Sequence, residues 1–229
     1  MAINLKKADI NDMLKPFGEV EIETGIFKDE DGNWCIHMLS PMPCAKGYRV
    51  NWWTSRGMSL PGNFQRWNPK EHIKPLPAEK LKDINDPNQW YPNMFYNTTN
   101  HAIQEIGGQK QVIKNHYYYP EDFGFDITKF EEAGVTLCNC TSPENEDCPL
   151  YGQQLIHVNL ETDYGCVRRT WLYTNSPNRT YEQMLGIFQH MFYENASICT
   201  FLDEAYEADP QNKDGRPEVY TLSDWKRPE

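Results

Sequence analysis

The chain has 229 residues, of which 39% are hydrophobic and 13% aromatic, so it is long enough to bury a single packed core. No apolar run approaches the ~20 residues of a membrane span and the first residues lack a secretory signal, which predicts no membrane contact and a cytoplasmic protein, or a virion protein if the source is viral. The net charge of -11 disfavours nonspecific binding to nucleic acid, because the phosphate backbone would be repelled.

The first 55 residues predict a short helix followed by three strands. Apolar residues recur at helical spacing from Ile10 to Phe17, behind Asp9 as the N-cap. Residues 19–27 alternate in polarity and residues 34–39 do so less cleanly, so DEDGN between them predicts a hairpin. GYRVNWWTS, at 47–55, predicts the third strand.

The next segment predicts little regular structure. Between residues 57 and 92 the prolines and asparagines leave almost no periodicity, which predicts a long irregular arm with one short helix near 78–84. Residues 93–106 then predict a helix that Gly107 and Gly108 stop, and residues 111–119 predict a strand.

The clearest hairpin joins residues 153–160 to residues 166–174 across the turn ETDYG. Its first strand places apolar side chains on one face and polar ones on the other. The apolar face carries Ile156, Val158 and Leu160, and the polar face carries His157, Asn159 and Glu161.

Thr180 and Gln183 form a capping-box pattern that opens an apolar helix, which we expect to run to about residue 207. We therefore predict one α+β domain over residues 1–209, with an antiparallel sheet built from hairpins and packed by a long C-terminal helix and shorter helices. Residues 210–229 are expected to form a surface tail.

Three cysteines stand close together in CNCTSPENEDC, residues 138–148. Cys138, Cys140 and Cys148 can supply three thiolates to zinc, with Cys166 or a histidine as the fourth ligand. The spacing differs from a Cys-x-x-Cys turn, since alternate residues of a strand lie roughly 7 Å apart. A disulfide and a polar loop with free thiols are the alternatives. We favour the loop and no cofactor, as a reducing cytosol predicts.

Two further groups are weak catalytic candidates. His157 and Glu161, with Arg168 across the turn, can form a general base with an orienting carboxylate, although a solvated strand face explains the same pattern. Cys35 and His37 lie at i and i+2 on one strand face, as a thiol and its base would. HExxH, GxSxG, Walker and GxGxxG motifs are absent, so no catalytic residue is assigned from the sequence.

The segment 46–74 interleaves basic and aromatic side chains. Its candidate binding residues are Arg49, Trp52, Trp53, Arg56, Arg66 and Trp67. Such a segment can stack the bases and hold the phosphates of single-stranded nucleic acid, or bind another polyanion, and Trp with Arg is also typical of protein interfaces. Ordinary core and surface positions are the third interpretation.

The leading hypothesis is a nonenzymatic protein that acts through protein contacts, as an assembly subunit or adaptor such as a virion or phage component, with a protein partner or a second copy of itself. It rests on the missing catalytic motifs, the long arm and the Trp and Tyr content. One alternative is an enzyme whose pocket over the sheet uses His157 and Glu161 or a cysteine-bound metal. Another is a nucleic-acid-binding module that uses segment 46–74. Convergence of His157, Glu161 and Arg168 in one pocket would favour the enzyme.

Overall fold

A single large sheet organises the molecule. A computed structural model describes residues 4–5, 7–76, 95–148, 150–212 and 221–227. Its nine strands lie in the order β1-β2-β3-β9-β8-β7-β6-β5-β4, and every neighbouring pair from β2 onward is antiparallel, whereas β1 joins β2 in parallel. The strands are β1 Asn4–Leu5, β2 Gly25–Asp29, β3 Trp34–Pro43, β4 His72–Leu76, β5 Thr98–Ile106, β6 Gln109–Tyr118, β7 Val135–Pro143, β8 Gln154–Thr162 and β9 Gly165–Tyr173. The predicted α+β class with a hairpin-built antiparallel sheet is confirmed.

Helices surround this sheet. They are α1 Gly47–Ser55, α2 Asn63–Trp67, α3 Phe130–Ala133, α4 Tyr181–Ile198, α5 Leu202–Ala208 and α6 Leu222–Trp225. The predicted capping box opens α4, with Thr180 and Gln183 each bonding to the other's backbone N–H. The helix ends at Ile198, and α5 begins at Leu202 after three intervening residues, so one continuous helix to residue 207 is not formed. Among the helices of the described residues, none is both long and apolar enough to cross a membrane.

The two faces of the sheet carry separate cores. Alternate residues of each strand point to opposite faces, so Cys138 packs with Trp171 on one face while Leu137 packs with Val50 on the other. The N-terminal segment, α3 and α6 cover the first face, where Trp225 contacts Phe130. The second face is covered by α1 and α5 over β7 and by α4 over β3.

Two predicted elements are wrong in type. Residues 47–55 form helix α1 rather than a third strand. Positions 47, 50, 51 and 54 are buried at helical spacing, but they hold Gly, Val, Asn and Thr and so give no apolar period in the sequence. The adjacent Trp52 and Trp53, both buried, conceal that period. Residues 98–106 form β5 rather than a helix. Gly107 and Gly108, with φ of 59° and 77°, supply the two-residue turn of the β5–β6 hairpin.

The remaining differences concern element bounds. The N-terminal helix is a short 3-10 turn, Ile10–Leu14, capped by Asp9, and β2 begins at Gly25 rather than at residue 19. The predicted irregular arm contains α2 and the edge strand β4 within its first 20 residues. The helix expected near 78–84 lies outside the described residues.

Candidate functional site

A cavity of about 460 Å³ lies between the second face of the sheet and the helices that cover it. Strands β5 to β9 supply its floor, and α4, α2 and the end of α1 supply its walls. Most of the lining is apolar, including Trp53, Phe64, Ile187 and Met191. Enclosed apolar cavities with a few convergent polar groups are the usual form of small-molecule sites.

One wall of this cavity carries a buried cluster of two histidines and a glutamate. His190 and Glu194 are one turn apart on α4 and line the cavity, and His72 begins β4 behind them. One ligand atom of each of the three side chains lies within 4.8 Å of the others. Glu194 Oε1 is 2.7 Å from His72 Nε2 and 3.1 Å from His190 Nε2.

The other ring nitrogen of each histidine is held by the protein. His72 Nδ1–H donates to the Phe64 carbonyl at 2.9 Å, and the His72 ring stacks on that phenyl ring. His190 Nδ1–H donates to Glu71 Oε2 at 2.6 Å, and the Asn68 side-chain amide donates to the same oxygen at 3.1 Å. Because both Nδ1 atoms are donors, both Nε2 atoms are directed towards Glu194. This is the arrangement by which an outer carboxylate or carbonyl orients a metal-binding histidine.

The cluster has a strong electrostatic signature. Burial alone would lower the pKa of His190, but the carboxylates of Glu194 and Glu71 outweigh it and raise that pKa to about 9. Burial likewise opposes ionisation of Glu194, but contact with His190 and His72 holds its pKa well below the usual range. Glu71 also has a lowered pKa, chiefly through its hydrogen bond from His190. The site therefore keeps two carboxylates ionised in a buried place.

These residues fit a divalent metal ion. Two imidazole nitrogens and one carboxylate form a ligand set typical of catalytic zinc sites, in which a fourth position stays open for water or substrate. The cavity lies beside the ligand atoms of His190 and Glu194, so such an open position would face the space where a ligand binds. His72, His190 and Glu194 are the one such group of three among the described residues.

Two of the three predicted hairpin residues enter the same cavity. His157 and Arg168 both line it, and His157 Nδ1 lies 2.8 Å from the hydroxyl of Thr170. Burial, and secondarily Arg168, lowers the pKa of His157 to about 3, so its ring is neutral. Glu161 is not with them, because its carboxylate accepts the N–H of Gly47 at the start of α1. Of the three predicted residues, His157 and Arg168 therefore line the cavity together, whereas Glu161 binds the start of helix α1.

The structure does not gather the predicted cysteine ligands. Cys138 and Cys140 lie on one face of the sheet with their sulfurs 3.9 Å apart, whereas Cys148 and Cys166 belong to cores on the other face. The loop interpretation needs correction too, since Cys138 and Cys140 lie within β7, which continues to Pro143.

Cys35 and His37 do not form a thiol and its base. Both ring nitrogens of His37 are engaged, Nδ1 with the Ile22 carbonyl at 2.8 Å and Nε2 with the Tyr173 hydroxyl at 3.1 Å. Burial raises the pKa of Cys35 to about 12, which keeps it a thiol. Both residues belong to the core.

The arginines of segment 46–74 pair with acids from the end of the chain. Arg49 contacts Asp203 at 2.8 Å, Arg66 contacts Glu204 at 2.8 Å and Arg56 contacts Asp209 at 2.7 Å. Trp52 and Trp53 are buried, and Trp67 donates its indole N–H to the Glu194 carbonyl. These arginines therefore do not form an unpaired basic face, and Trp52 and Trp53 are not exposed for stacking on bases.

Sequence reasoning missed the whole group of two histidines and a glutamate. His190 and Glu194 have the i, i+4 spacing that places two side chains on one helix face, inside a helix predicted correctly. The apolar residues of α4 dominate the pattern of this helix and conceal the pair. No local signal places His72 beside them, since it belongs to an edge strand more than 100 residues away in sequence.

The fold and the site together define a class of protein: an α+β domain with a helix-covered cavity and a buried group of two histidines and a glutamate at its wall. Residues 5–204 match the family model described as the DAPG hydrolase PhiG domain. Because this match covers most of the chain, the protein belongs to that family.

Comparisons with solved structures give only distant similarities. A protein from Nitrosomonas europaea is 10% identical, with a TM-score of 0.42, over 76% of this chain and 94% of that one. A protein from Arthrobacter aurescens is 11% identical, with a TM-score of 0.39, over 84% of this chain and 97% of that one. A protein from Mycobacterium smegmatis is 12% identical, with a TM-score of 0.38, over 79% of this chain and 94% of that one. At this level they indicate no function. No curated protein matches the sequence significantly.

Family membership corrects the leading hypothesis. A nonenzymatic assembly subunit or adaptor, and with it a virion or structural component, is wrong, because the family is that of a hydrolase. The enzyme alternative is the better supported one. A pocket does lie over the sheet, but the residues beside it that could hold a metal ion are histidines and a glutamate rather than cysteines.

Proposed function

We propose that this protein is a metal-assisted hydrolase that acts on a small, largely apolar molecule in the cavity over the sheet. The observation that carries the proposal is the convergence of His72, His190 and Glu194 at the cavity wall, with the Nδ1 atom of both histidines already engaged. Family membership supplies the reaction class, and the ligand set supplies a reason for it.

The roles of the chain's own residues follow from their contacts. His72 and His190 would bind the ion through Nε2 and Glu194 through a carboxylate oxygen, while Glu71 and the Phe64 carbonyl fix the rings. A divalent ion held in this way supplies Lewis acidity, polarising a substrate oxygen and lowering the pKa of bound water. The apolar walls, with Trp53, Ile187 and Met191, limit competing water.

Three residues not used as ligands complete the polar part of the cavity. His157 is neutral and offers a hydrogen-bonding nitrogen, and Asn139 has a buried side-chain oxygen without a partner among the described residues. Arg168 adds a fixed positive charge. All three side chains belong to strands of the cavity floor and lie among largely apolar lining residues, so they can orient an apolar substrate.

Metal content and binding test the metal centre. We expect the purified chain to retain about one divalent ion, or to bind about one Zn²⁺ after treatment with a chelator, by mass spectrometry and isothermal titration calorimetry. His190→Ala and Glu194→Gln should each abolish this binding. His116→Gln is the matched control, because His116 pairs with Glu144 and does not line the cavity. Wild-type protein that binds no Zn²⁺, or His190→Ala that binds it normally, would overturn the metal centre.

Turnover is tested separately. The family is named for hydrolysis of DAPG, so DAPG is the first compound to assay, with its consumption followed by chromatography on metal-loaded protein. We expect turnover that His190→Ala and Glu194→Gln remove and that His116→Gln retains. Turnover that survives both substitutions would place the chemistry elsewhere, and unchanged DAPG with loaded wild-type protein would reject DAPG as the substrate.

A further inference from the structure

Arg168 is a buried cation with no acid at contact distance among the described residues. It projects from β9 into the cavity floor and is only 4% exposed. Its Nε donates to Asn159 at 2.8 Å and its Nη1 to Asn195 at 2.9 Å, and Asn195 is held in turn by Ser40. Both partners are neutral amides, so the guanidinium is fixed in place without being neutralised. Its Nη2 donates to no atom within the described part of the chain.

The two other arginines that are buried in the described residues each form an ion pair with a carboxylate. Arg56 has Asp209 at 2.7 Å, and Arg169, the neighbour of Arg168 on the opposite face of the sheet, has Glu23 at 2.6 Å. A buried charge without a counter-charge is strongly unfavourable, so buried cations are ordinarily paired. For Arg168, no carboxylate in the described ranges lies within ion-pair distance.

The groups around Arg168 leave its charge uncompensated. Glu194 is the nearby acid whose field reaches it, but that carboxylate contacts His72 and His190. Cys166 is a neutral thiol, because burial raises its pKa to about 12. His157, which lines the same cavity, is neutral as well. Among the described lining residues, Glu194 is the one carboxylate, and it is engaged by the two histidines rather than by the guanidinium.

We infer that Arg168 binds an anionic oxygen of the molecule that occupies the cavity, such as that of a carboxylate or an ionised phenol, so the substrate of this hydrolase is a small acid with an apolar body. This inference rests on the function proposed above. Nη2 and the second hydrogen of Nη1 offer the paired donors that a planar carboxylate accepts. The acid would be anchored at the cavity floor, while its apolar body contacts the walls near the metal-binding group.

A pair of matched ligands tests the charge requirement. 3-Phenylpropionate and its neutral amide, 3-phenylpropionamide, have nearly the same shape and would be titrated calorimetrically into the purified protein. We expect the acid to bind about 10- to 100-fold more tightly than the amide, as a charge-assisted hydrogen bond implies. Arg168→Gln should reduce acid binding to the level of the amide and leave amide binding unchanged. Arg66→Gln, whose guanidinium pairs with Glu204 on the outside, is the control and should have no effect.

A second variant keeps the test independent of folding defects. Asn195→Asp places a carboxylate beside Nη1 and gives Arg168 an internal partner. We expect it to weaken acid binding by about tenfold or more without lowering the melting temperature. Equal affinities for acid and amide in wild type, or unchanged acid affinity in Arg168→Gln, would overturn the inference.

The same titration in His190→Ala separates this inference from the metal centre. Acid affinity that is lost in His190→Ala but retained in Arg168→Gln would mean that the carboxylate binds the metal, which overturns the role of Arg168 and supports the metal centre. Acid binding that depends on Arg168 in a protein unable to bind Zn²⁺ would instead retain the carboxylate site and reject the metal-assisted mechanism.

Discussion

The orientation of His190 depends on a residue outside the group of three that could hold the metal ion. Glu71 accepts the Nδ1–H of His190 at 2.6 Å, which fixes the ring and increases the basicity of Nε2. Glu71→Gln keeps the size of the side chain but removes its charge. We expect Zn²⁺ affinity to fall about 10- to 100-fold, with one ion still bound at saturation, in competition titrations against a chelator.

Glu204→Gln is the matched control for this substitution. Glu204 pairs with Arg66 on the surface and lies outside the cavity, so its replacement should leave Zn²⁺ affinity unchanged. Wild-type affinity in Glu71→Gln would show that the helix backbone alone positions His190. Complete loss of binding would make Glu71 a ligand rather than an orienting residue.

His37 makes stability depend on pH. Its ring stacks on Trp171 in the first core, and burial lowers its pKa to about 4, from about 6.5 in the unfolded chain. The unfolded chain therefore binds the proton more readily, so the stability that neutral His37 contributes is complete above pH 6.5 and declines as pH falls towards 4. We expect this residue to reduce the free energy of unfolding by about 2 kcal/mol between pH 7 and pH 5.

The measurement compares urea unfolding of wild type and His37→Gln at both pH values. Glutamine does not titrate, so the loss between pH 7 and pH 5 should be smaller in the variant by about that amount. The comparison is needed because His157 also has a pKa lowered by burial and changes stability in the same direction. Parallel pH profiles for the two proteins would contradict a neutral, buried His37.

At this scale, the sequence predicts residue faces better than residue partners. Strand alternation correctly separates His157 from Ile156, and it places His157 and Arg168 on the face that forms the cavity. It does not reveal that Glu161 caps α1, or that His72 meets His190. Those contacts depend on how distant elements pack, about which local periodicity carries no information.

Helix α1 shows why element type can be misread. It enters the second core through the tryptophans of its middle, while its start fits closely against β7 and β8. A Cβ atom on Gly47 would lie 2.1 Å from Thr136 Oγ1 and 2.4 Å from Glu161 Oε2. Close packing of this kind selects a glycine, which in sequence argues against a helix. The strand prediction failed because the tertiary contact outweighs the local propensity.

This close approach predicts the effect of one methyl group. Gly47→Ala would gain up to about 1 kcal/mol from helix propensity but must displace Thr136 and Glu161, and we expect a net loss of about 1–3 kcal/mol in the free energy of unfolding. Gly25→Ala in β2 is the control, because its nearest neighbour, Ile22 Cγ2, is 3.4 Å away. Urea unfolding of both variants decides the matter. A Gly47→Ala protein as stable as wild type would mean that the start of α1 moves freely.

Across the whole molecule, opposite charges from distant segments meet. The basic segment 46–74 and the acidic residues 203–209 are separate in sequence, and each taken alone suggests an external partner. In the structure α5 lies against α1, and the arginines of one segment contact the acids of the other. The sequence showed both charge runs but not their contact, because such pairing is set by packing. These three arginines therefore do not add a basic face to a chain whose net charge is -11.

One ion pair in this contact is buried and joins the end of α5 to α1. Asp209 accepts from Arg56 through both carboxylate oxygens, at 2.7 Å and 3.2 Å, and from the indole N–H of Trp52 at 3.1 Å. Asp209→Asn removes the charge that faces the buried guanidinium. Because the buried guanidinium loses its contact with a carboxylate, we expect the free energy of unfolding to fall by about 3 kcal/mol or more.

The exposed pair of the same contact provides the comparison. Glu204→Gln removes the partner of Arg66, whose side chain is 40% exposed, and should cost no more than about 1 kcal/mol, since water replaces the lost contact. Urea unfolding of both variants at neutral pH therefore compares the stability contributed by the buried pair with that contributed by the exposed pair. If Asp209→Asn lowered the free energy of unfolding as little as Glu204→Gln does, Arg56 would have to reach water by a local opening of α5. The end of α5 would then not be fixed to α1 by this pair.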